Sequence, residues 1–260
     1  STTVLGVPDA PTGLTVTAGN TQASLSWTAP SNNGGAALSD YSIQYSTDNT
    51  TWTSFSHTAS TTTSATITGL TKNTLYYFRV AAINSQGTGA YTSSASTTVL
   101  GVPDAPTGLT VTAGNTQASL SWTAPSNNGG AALSNYSIQY STDNTTWTSF
   151  SHTASTSTSI TVTGLTKNTL YYFRVAAINS QGTGAYTSSA STTVLGVPDA
   201  PTALAAGTPT TTTMPLSWTA PSNNGGAALS DYSIQYSTDN TTWSTWTHTA
   251  STATSQTVTG

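Results

Sequence analysis

The stretch GLTKNTLYYFRVAAINSQGTGAYT, residues 69–92, decides the fold of this chain. Within it, apolar side chains recur at every second position, namely Tyr76, Phe78, Val80 and Ala82. Successive side chains of a β-strand point to opposite faces, so this spacing places all four on one face. We therefore predict a strand over residues 74–84 with that face buried. The same stretch returns unchanged at residues 164–187.

The neighbouring runs show the same short alternation and are rich in β-branched and aromatic residues, between clusters of Gly, Asn, Pro and Ser. The pattern predicts strands over residues 12–17, 23–28, 41–46, 52–56, 64–68, 74–84 and 90–99. The inward positions of the first three strands are Leu14, Val16, Leu25, Trp27, Tyr41, Ile43 and Tyr45. Seven short strands at this spacing are typical of an antiparallel β-sandwich, so the fold class is all-β.

The chain repeats itself with a fixed period. STTVLGVPDAPTGL stands at residues 1–14 and again at 96–109, and Gly6, Gly101 and Gly196 follow one another at intervals of 95 residues. The sequence predicts four parts: residues 1–5 as the tail of a preceding repeat, complete units at 6–100 and 101–195, and a third unit at 196–260 without its last two strands. Because this third unit ends before the counterpart of Leu70, we expect the chain to be part of a longer array.

The two complete units differ at four positions only: Asp40 against Asn135, Thr62 against Ser157, Ala65 against Ile160, and Ile67 against Val162. Between the units, the prolines of the sequence VPDAP fix φ and cannot donate to a sheet ladder. We therefore expect a short, stiff junction, and an array of such units would be rod-like.

Composition excludes several classes of function. Charged residues make up 5% of the chain and the net charge is −4, so the basic surface that nucleic acid requires is missing. Cysteine is absent, which excludes disulfides, thiolate metal sites and a cysteine nucleophile. The sequence contains no run of about 18 apolar residues, so we expect no membrane insertion.

Several correctly spaced motifs together resemble one known family. PDAPTGLTVTAGNTQASLSWTAP is followed by YSIQYS, by the stretch at 69–92 and by the next VPDAPT, and this order resembles tandem fibronectin type III domains of bacterial and phage surface proteins. The resemblance implies immunoglobulin-like sandwiches in which Trp27, Trp122 and Trp218 are core residues. It also implies that Tyr76 and Tyr171 form the tyrosine corner, whose hydroxyl bonds to upstream backbone. The Arg-Gly-Asp triplet of animal fibronectins is absent.

The titratable residues do not predict an enzyme or a metal site. Glycoside chemistry needs two carboxylates held at a fixed separation in a cleft, but of the three acids in the first unit Asp9 lies in the junction and Asp40 is replaced by Asn135 in the second unit. The histidines at 57, 152 and 248 are surrounded by Ser and Thr and are expected in exposed loops or edge strands. One Asp per junction is too few for calcium. The loop SNNGG, residues 31–35, reads as a plain turn. We expect no cofactor, no metal and no catalysis.

Two sets of residues are candidates for binding or modification. Aromatic rings exposed on a sheet can stack on sugars or pack on a protein, and the candidates are Tyr45, Trp52, Phe55, Trp147, Trp243 and Trp246. The alternative is that Tyr45 is a core residue and Trp52 covers its own sheet. Sequons that permit N-glycosylation stand at Asn49, Asn135, Asn144 and Asn240.

These features favour a non-enzymatic structural repeat or spacer in a larger surface or filament-forming protein, self-assembling or adhesive. Hydroxyl and amide groups can bond to neighbours without desolvating ions, which suits assembly. The alternatives are repeats that bind glycans or a receptor, and spacer modules of a secreted polysaccharide-degrading enzyme. The expected partners are other copies, neighbouring repeats, or cell-surface glycans or protein, and the expected location is extracellular, on a cell, virion or appendage surface.

Overall fold

A computed structural model describes residues 4–259, which fold into β-strands joined by turns and loops, with no helix among them. The predicted tail at residues 1–5 lies partly outside the described residues. In the first unit, one sheet contains three antiparallel strands in the order β1, β2, β5. These strands are β1 (Thr12–Gly19), β2 (Gln22–Thr28) and β5 (Ser64–Thr68).

The second sheet of this unit is built around the strand predicted from residues 69–92. Strand β6 (Thr74–Asn84) pairs with β3 (Leu38–Ser46) on one side and with β7 (Gly87–Tyr91) and β8 (Ala95–Val99) on the other, and β4 (Thr53–Ser54) extends the sheet beyond β3. All pairs are antiparallel. The all-β sandwich predicted from the sequence is confirmed.

The second unit has the same architecture, with sheets β9-β10-β13 and β12-β11-β14-β15, where β16 also pairs with β14. Its strands are β9 (Thr107–Gly114), β10 (Gln117–Thr123), β11 (Leu133–Ser141), β12 (Thr148–Phe150), β13 (Ser159–Thr163), β14 (Thr169–Asn179), β15 (Gly182–Tyr186) and β16 (Ala190–Val194). The described part of the third unit forms sheets β17-β18-β21 and β19-β20. Its strands are β17 (Thr202–Ala206), β18 (Thr213–Thr219), β19 (Gln235–Tyr236), β20 (Ser244–Thr245) and β21 (Ser255–Thr259).

The core of each complete unit lies between its two sheets. In the first unit, Leu25 and Trp27 from one sheet meet Tyr41 and Phe78 from the other, and all four are buried. The Trp27 and Tyr41 rings meet edge to face, with centroids 5.1 Å apart. The period-two alternation of β2, β3 and β6 produces this core, because each strand turns its apolar positions to the same side.

Three strand predictions need correction. Residues 90–99 form two strands rather than one, because the chain leaves the ladder after Tyr91, where the Thr92 N–H donates to the Val80 carbonyl and the Thr92 hydroxyl accepts from the Val80 N–H. The strand predicted at 52–56 is reduced to Thr53–Ser54, and the strand predicted at 41–46 begins earlier, at Leu38. The bond from the Val80 N–H to the Thr92 hydroxyl replaces a backbone bond of the ladder, and the alternation of apolar and polar residues does not predict such a replacement.

The tyrosine corner implied by the family resemblance is present in both complete units. The Tyr76 hydroxyl accepts a hydrogen bond from the Thr71 N–H at 3.3 Å, and Tyr171 makes the same bond with Thr166. Both tyrosine rings are buried. The corner therefore ties the connection before β6 to the start of that strand.

Candidate functional site

The junction between the first and second units is held by a lysine. Lys72 precedes β6, and its Nζ donates to the Val102 carbonyl and to Asp104 Oδ1, both at 2.7 Å. The junction between the second and third units repeats the arrangement, with Lys167 bonded to Val197 and Asp199. The chain contains two lysines, and each of them bonds to the first segment of the next unit.

A loop with two consecutive glycines, Gly129–Gly130 in the second unit and Gly225–Gly226 in the third, packs against the junction that precedes its unit. We call it the Gly-Gly loop. Gly129 has a φ of +77°, its carbonyl accepts from the Gly101 N–H at 2.8 Å, and a Cβ at Gly129 would overlap the Gly101 carbonyl. A Cβ at Gly130 would lie 3.3 Å from the Leu100 side chain of the preceding unit. The loop predicted as a plain turn is therefore also a contact surface that requires glycine.

An asparagine at the end of β14 completes the junction. Asn179 is buried, and its Nδ2 donates to the Gly101 carbonyl at 2.7 Å and to the Asn128 carbonyl at 2.8 Å. One amide thus connects the long strand, the junction and the Gly-Gly loop. Asn84 makes the equivalent bonds to Gly6 and Asn33 in the first unit.

The aromatic candidates of the first unit are in contact with other side chains of the protein. Tyr45 and Phe55 are half-buried against the core, and Tyr45 meets Tyr76 edge to face at 6.0 Å. Trp52 lies on the outer face of the second sheet, where the Arg79 guanidinium stacks 4.1 Å from the indole centroid and 4.3 Å from that of Tyr91. Gln44 Oε1 accepts two bonds from this guanidinium.

The other aromatic candidates differ in their surroundings. Trp147 has the same arginine stack as Trp52, formed by Arg174 and Tyr186. In the third unit, Trp243 is 54% exposed. Trp246 is half-buried, stacks on His248 at 5.0 Å, and donates its indole N–H to the Thr259 carbonyl.

The expectation that the histidines are exposed is wrong. His57 is half-buried and stacks on Phe55, and its two ring nitrogens lie 3.0 Å from the carbonyl oxygens of Tyr41 and Thr58. His152 and His248 repeat this geometry. Sequence reasoning missed it because the strand β3 carbonyl that meets the ring is 16 residues away in the chain.

With this geometry established, comparison with known proteins identifies the family. The Fibronectin type III domain model matches residues 9–99 and 104–194, and each match falls within one of the two complete units. The chain belongs to the fibronectin type III family.

The relatives are larger proteins of different kinds. The chain is 30% identical to Exoglucanase B of Cellulomonas fimi over 87% of its own length and 21% of that protein, and 29% identical to titin of Drosophila melanogaster over 84% and 1%. It therefore spans about a fifth or less of these two relatives. Among solved structures, the chicken CNTN1 FN1-FN3 domains align over 73% of this chain and 69% of that one, at 20% identity and a TM-score of 0.39.

The sequons of the fibronectin type III units lie in two environments. Asn49, Asn144 and Asn240 are exposed, with positive φ, in the turn after an aspartate. Asn135 is half-buried on β11, where its Oδ1 accepts a bond from the Ser155 N–H. A glycan on the Asn135 amide would have to coexist with that bond, whereas the three turn positions face solvent.

Each of these turns also holds an ionised aspartate. The carboxylate of Asp48 accepts bonds from the N–H groups of Thr51 and Thr50 and from the Ser46 hydroxyl, and these bonds hold the pKa of Asp48 well below its usual range. Asp143 and Asp239 accept the equivalent bonds within their own turns, and these bonds lower their pKa values in the same way. The carboxylates therefore stabilise turns.

No group of three or more metal-binding side chains occurs within residues 4–259. Over the same range, no helix is long and apolar enough to cross a membrane. The junction is the arrangement of polar groups that links two units, and its geometry positions one fibronectin type III unit against the next.

Proposed function

We propose that this chain is a stiff, non-enzymatic spacer in a larger extracellular surface or filament-forming protein of a bacterium or phage, and that its units hold another part of that protein at a fixed distance. The observation that supports this most directly is the junction, whose lysine bonds and Gly-Gly loop contacts are repeated between the second and third units. A flexible linker would need neither the lysine bonds nor the buried asparagine.

Three kinds of contact act together at the junction between the first and second units. Lys72 bonds to both the backbone and the side chain of the next unit's first segment, Asn179 fixes that segment to its own unit, and Gly130 packs on Leu100. Because the three contacts start from different elements, a rotation of one unit against the next must break at least one of them. The proposed partners are neighbouring repeats or other copies of the protein, and cell-surface glycans or proteins that such an array would carry or meet.

The test is the relative tumbling of the units, measured by ¹⁵N relaxation on the full chain. We expect the first and second units of the unmodified protein to share one rotational correlation time. In the double variant Lys72→Ala and Lys167→Ala, the correlation times should shorten and separate, because each junction loses two bonds.

A matched control is available in the same motif. Asp9 is the first-unit counterpart of Asp104, and it has no lysine partner within residues 4–259. Asp104→Asn should loosen the first junction, while Asp9→Asn should leave the correlation times unchanged. Independent tumbling of the units in the unmodified protein would contradict the spacer proposal.

A second candidate function is a spacer module within a secreted polysaccharide-degrading enzyme. The observation that favours it is the 30% identity to Exoglucanase B over 87% of this chain. Such a spacer has the same mechanical role but connects to a catalytic domain. Sequencing the gene on both sides of residues 1–260 distinguishes the two, since the second candidate requires a hydrolase domain on the same chain.

A further inference from the structure

The two arginines of the chain have no acidic partner within the described residues. Each of the two lysines pairs with an aspartate at a junction. Within residues 4–259, by contrast, no carboxylate lies within ion-pairing distance of Arg79 or Arg174. Because the net charge of the chain is −4, these guanidinium groups are positive positions on a protein of acidic net charge. Anionic ligands are attracted to such positions.

The Arg79 guanidinium is fixed in its orientation. Its central carbon lies 4.1 Å from the centroid of the Trp52 ring and 4.3 Å from that of Tyr91. Two rings cannot both lie at this distance over one face of a planar group, so they cover its two faces. Along one edge, the Nε and Nη2 atoms donate to Gln44 Oε1 at 2.9 and 2.7 Å, and Gln44 is itself bonded to the Ser54 hydroxyl. An orientation fixed in this way lowers the entropy cost of binding a ligand.

The opposite edge of the guanidinium is open. Arg79 is half-buried, and its Nη1 atom makes no hydrogen bond within residues 4–259. The buried side-chain atoms without a partner in the described chain are three indole nitrogens and the Tyr41 hydroxyl oxygen, so Nη1 is accessible to solvent and to a ligand. The edges of the two rings flank this position, and the edge of an aromatic ring carries partial positive charge. The open edge therefore favours an anion.

The residue that bonds to the arginine is an amide rather than a carboxylate. Gln44 orients the guanidinium through its side-chain oxygen but carries no charge, so the positive charge is not neutralised. The open donors of a guanidinium lie in one plane and match the two oxygens of a carboxylate. A carboxylate-bearing ligand therefore fits the open edge in both charge and geometry.

The second unit repeats the arrangement 95 residues further along the chain. The Arg174 guanidinium lies 4.1 Å from Trp147 and 4.3 Å from Tyr186, and Gln139 Oε1 accepts its bonds at 2.8 and 2.7 Å. One such cation per unit suits a polymer whose carboxylates are spaced apart, because two sites on one chain bind linked ligands together. A dense polyanion fits less well, since a net charge of −4 repels it.

The neighbours of the stack favour a sugar as the carrier of the carboxylate. The Tyr91 hydroxyl bonds to the Ser42 hydroxyl, and the Ser54 hydroxyl accepts a bond from Gln44. A hydroxyl group can donate one bond and accept two, so each of these groups has capacity for a further partner. Sugar hydroxyls, which both donate and accept, match them.

We propose that the open edges of Arg79 and Arg174 bind the carboxylate groups of a weakly acidic polysaccharide, with one uronic acid residue at each complete unit. A spacer does not require these sites, so the inference goes beyond the proposed function. Each site lies within a single unit and does not depend on the junction. A loose junction and an absent ligand site would therefore give different experimental results.

The test follows the side-chain Nε–H resonances of Arg79 and Arg174 by NMR, on the full chain, during titration with trigalacturonate. We expect both to shift saturably, together with the indole N–H resonances of Trp52 and Trp147. The Trp243 indole, over which no arginine lies in the described chain, should stay in place. The methyl ester of the same trisaccharide keeps the sugar rings without the charges and should produce no shift. Added salt should weaken the binding, since the contact is ionic.

The decisive variant is Gln44→Glu, which supplies a carboxylate to the same Nε and Nη2 donors. It keeps the stack and cancels the charge, so binding at Arg79 should weaken about tenfold or more while binding at Arg174 is unchanged. Gln139→Glu should reverse this pattern. Gln22→Glu adds the same charge to the other sheet and should leave both sites unchanged. Protection of the Trp52 indole from a soluble paramagnetic probe shows that the stack is intact in Gln44→Glu.

A triglutamate peptide with blocked termini tests the other class of partner, because it carries the same number of carboxylates without sugar rings. The proposal is overturned if trigalacturonate shifts neither arginine, if its methyl ester binds as well, or if Gln44→Glu leaves binding at Arg79 intact. It is also overturned if triglutamate binds more tightly than trigalacturonate, which would make the partner an acidic protein.

Discussion

The first and third units contain nearly the same segments in different surroundings. The first has strand β6, and the described part of the third has no counterpart of it. Tyr45 is half-buried against Tyr76 in the first unit, whereas its counterpart Tyr236 is 52% exposed. Trp52 is likewise half-buried under Arg79, and its counterpart Trp243 is more exposed. Strand β6 therefore provides the packing partners that bury Tyr45 and Trp52, whereas the counterpart of Tyr41, Tyr232, is buried without it.

Other features are the same in both units. The Trp218 and Tyr232 rings lie 5.1 Å apart, as do those of Trp27 and Tyr41, and His248 meets the Tyr232 carbonyl at 2.9 Å. In the third unit these contacts join Trp218 on strand β18 and His248 to Tyr232, although the described part of that unit has no counterpart of β6. Two levels of structure are thus separate: contacts among the first strands set the local geometry and bury Trp218 and Tyr232, and β6 adds the burial of Tyr45 and Trp52.

The largest expected effect comes from removing the buried phenylalanine ring at the centre of β6. Phe78 is fully buried, so Phe78→Ala should destabilise the first unit by about 3–5 kcal/mol through lost burial and the cavity left behind. The Trp52 indole should stay covered, because its partner Arg79 lies on the outer face of the sheet. Chemical denaturation followed by NMR, with one set of resonances per unit, measures the loss.

The second unit supplies the control for this change. Phe173→Ala should destabilise the second unit by a similar amount and leave the first unit's transition in place, since Phe173 is equally buried. A loss below about 1 kcal/mol in either variant would show that β6 is not the main support of the core.

A smaller effect is expected on the outer face of β6. Arg79→Ala removes two cation–π contacts, each worth about 0.5–1 kcal/mol, so the first unit should lose about 1–2 kcal/mol. The Trp52 indole should become as accessible as that of Trp243, as measured by relaxation enhancement from a soluble paramagnetic probe. Arg79→Lys keeps the charge but not the planar stack and should recover only part of the loss. Unchanged accessibility of Trp52 in Arg79→Ala would contradict the role assigned to the stack.

Much of this architecture could be predicted from the sequence, and the exceptions have physical reasons. The buried face of β6 follows from alternation alone, because period two is the geometry of a strand. The stack of Arg79 on Trp52 does not, since it depends on which strands pair and in what register. The packing of Ala65 is a similar case: the difference from Ile160 is visible in the sequence, but the pairing of this position with Leu25 on β2 is visible only in the fold.

The smallest expected effect is the titration of one aspartate in each unit, and it should be the same in all three units. The pKa of Asp48 is lowered by the N–H groups of Thr51 and Thr50, which bond to the ionised carboxylate, and Asp143 and Asp239 share this cause. A lowered pKa contributes stability that is present above the ordinary value of about 3.9 and is lost as the pH falls through the folded-state pKa. We therefore expect the amide resonances of the three turns to titrate together, well below pH 4 and independently of β6. Asp48→Asn should remove the transition at Thr51 and leave it at Thr146 and Thr242. A third-unit turn that titrates higher than the other two would mean that β6 also supports the turn, and the separation into local geometry and burial would fail.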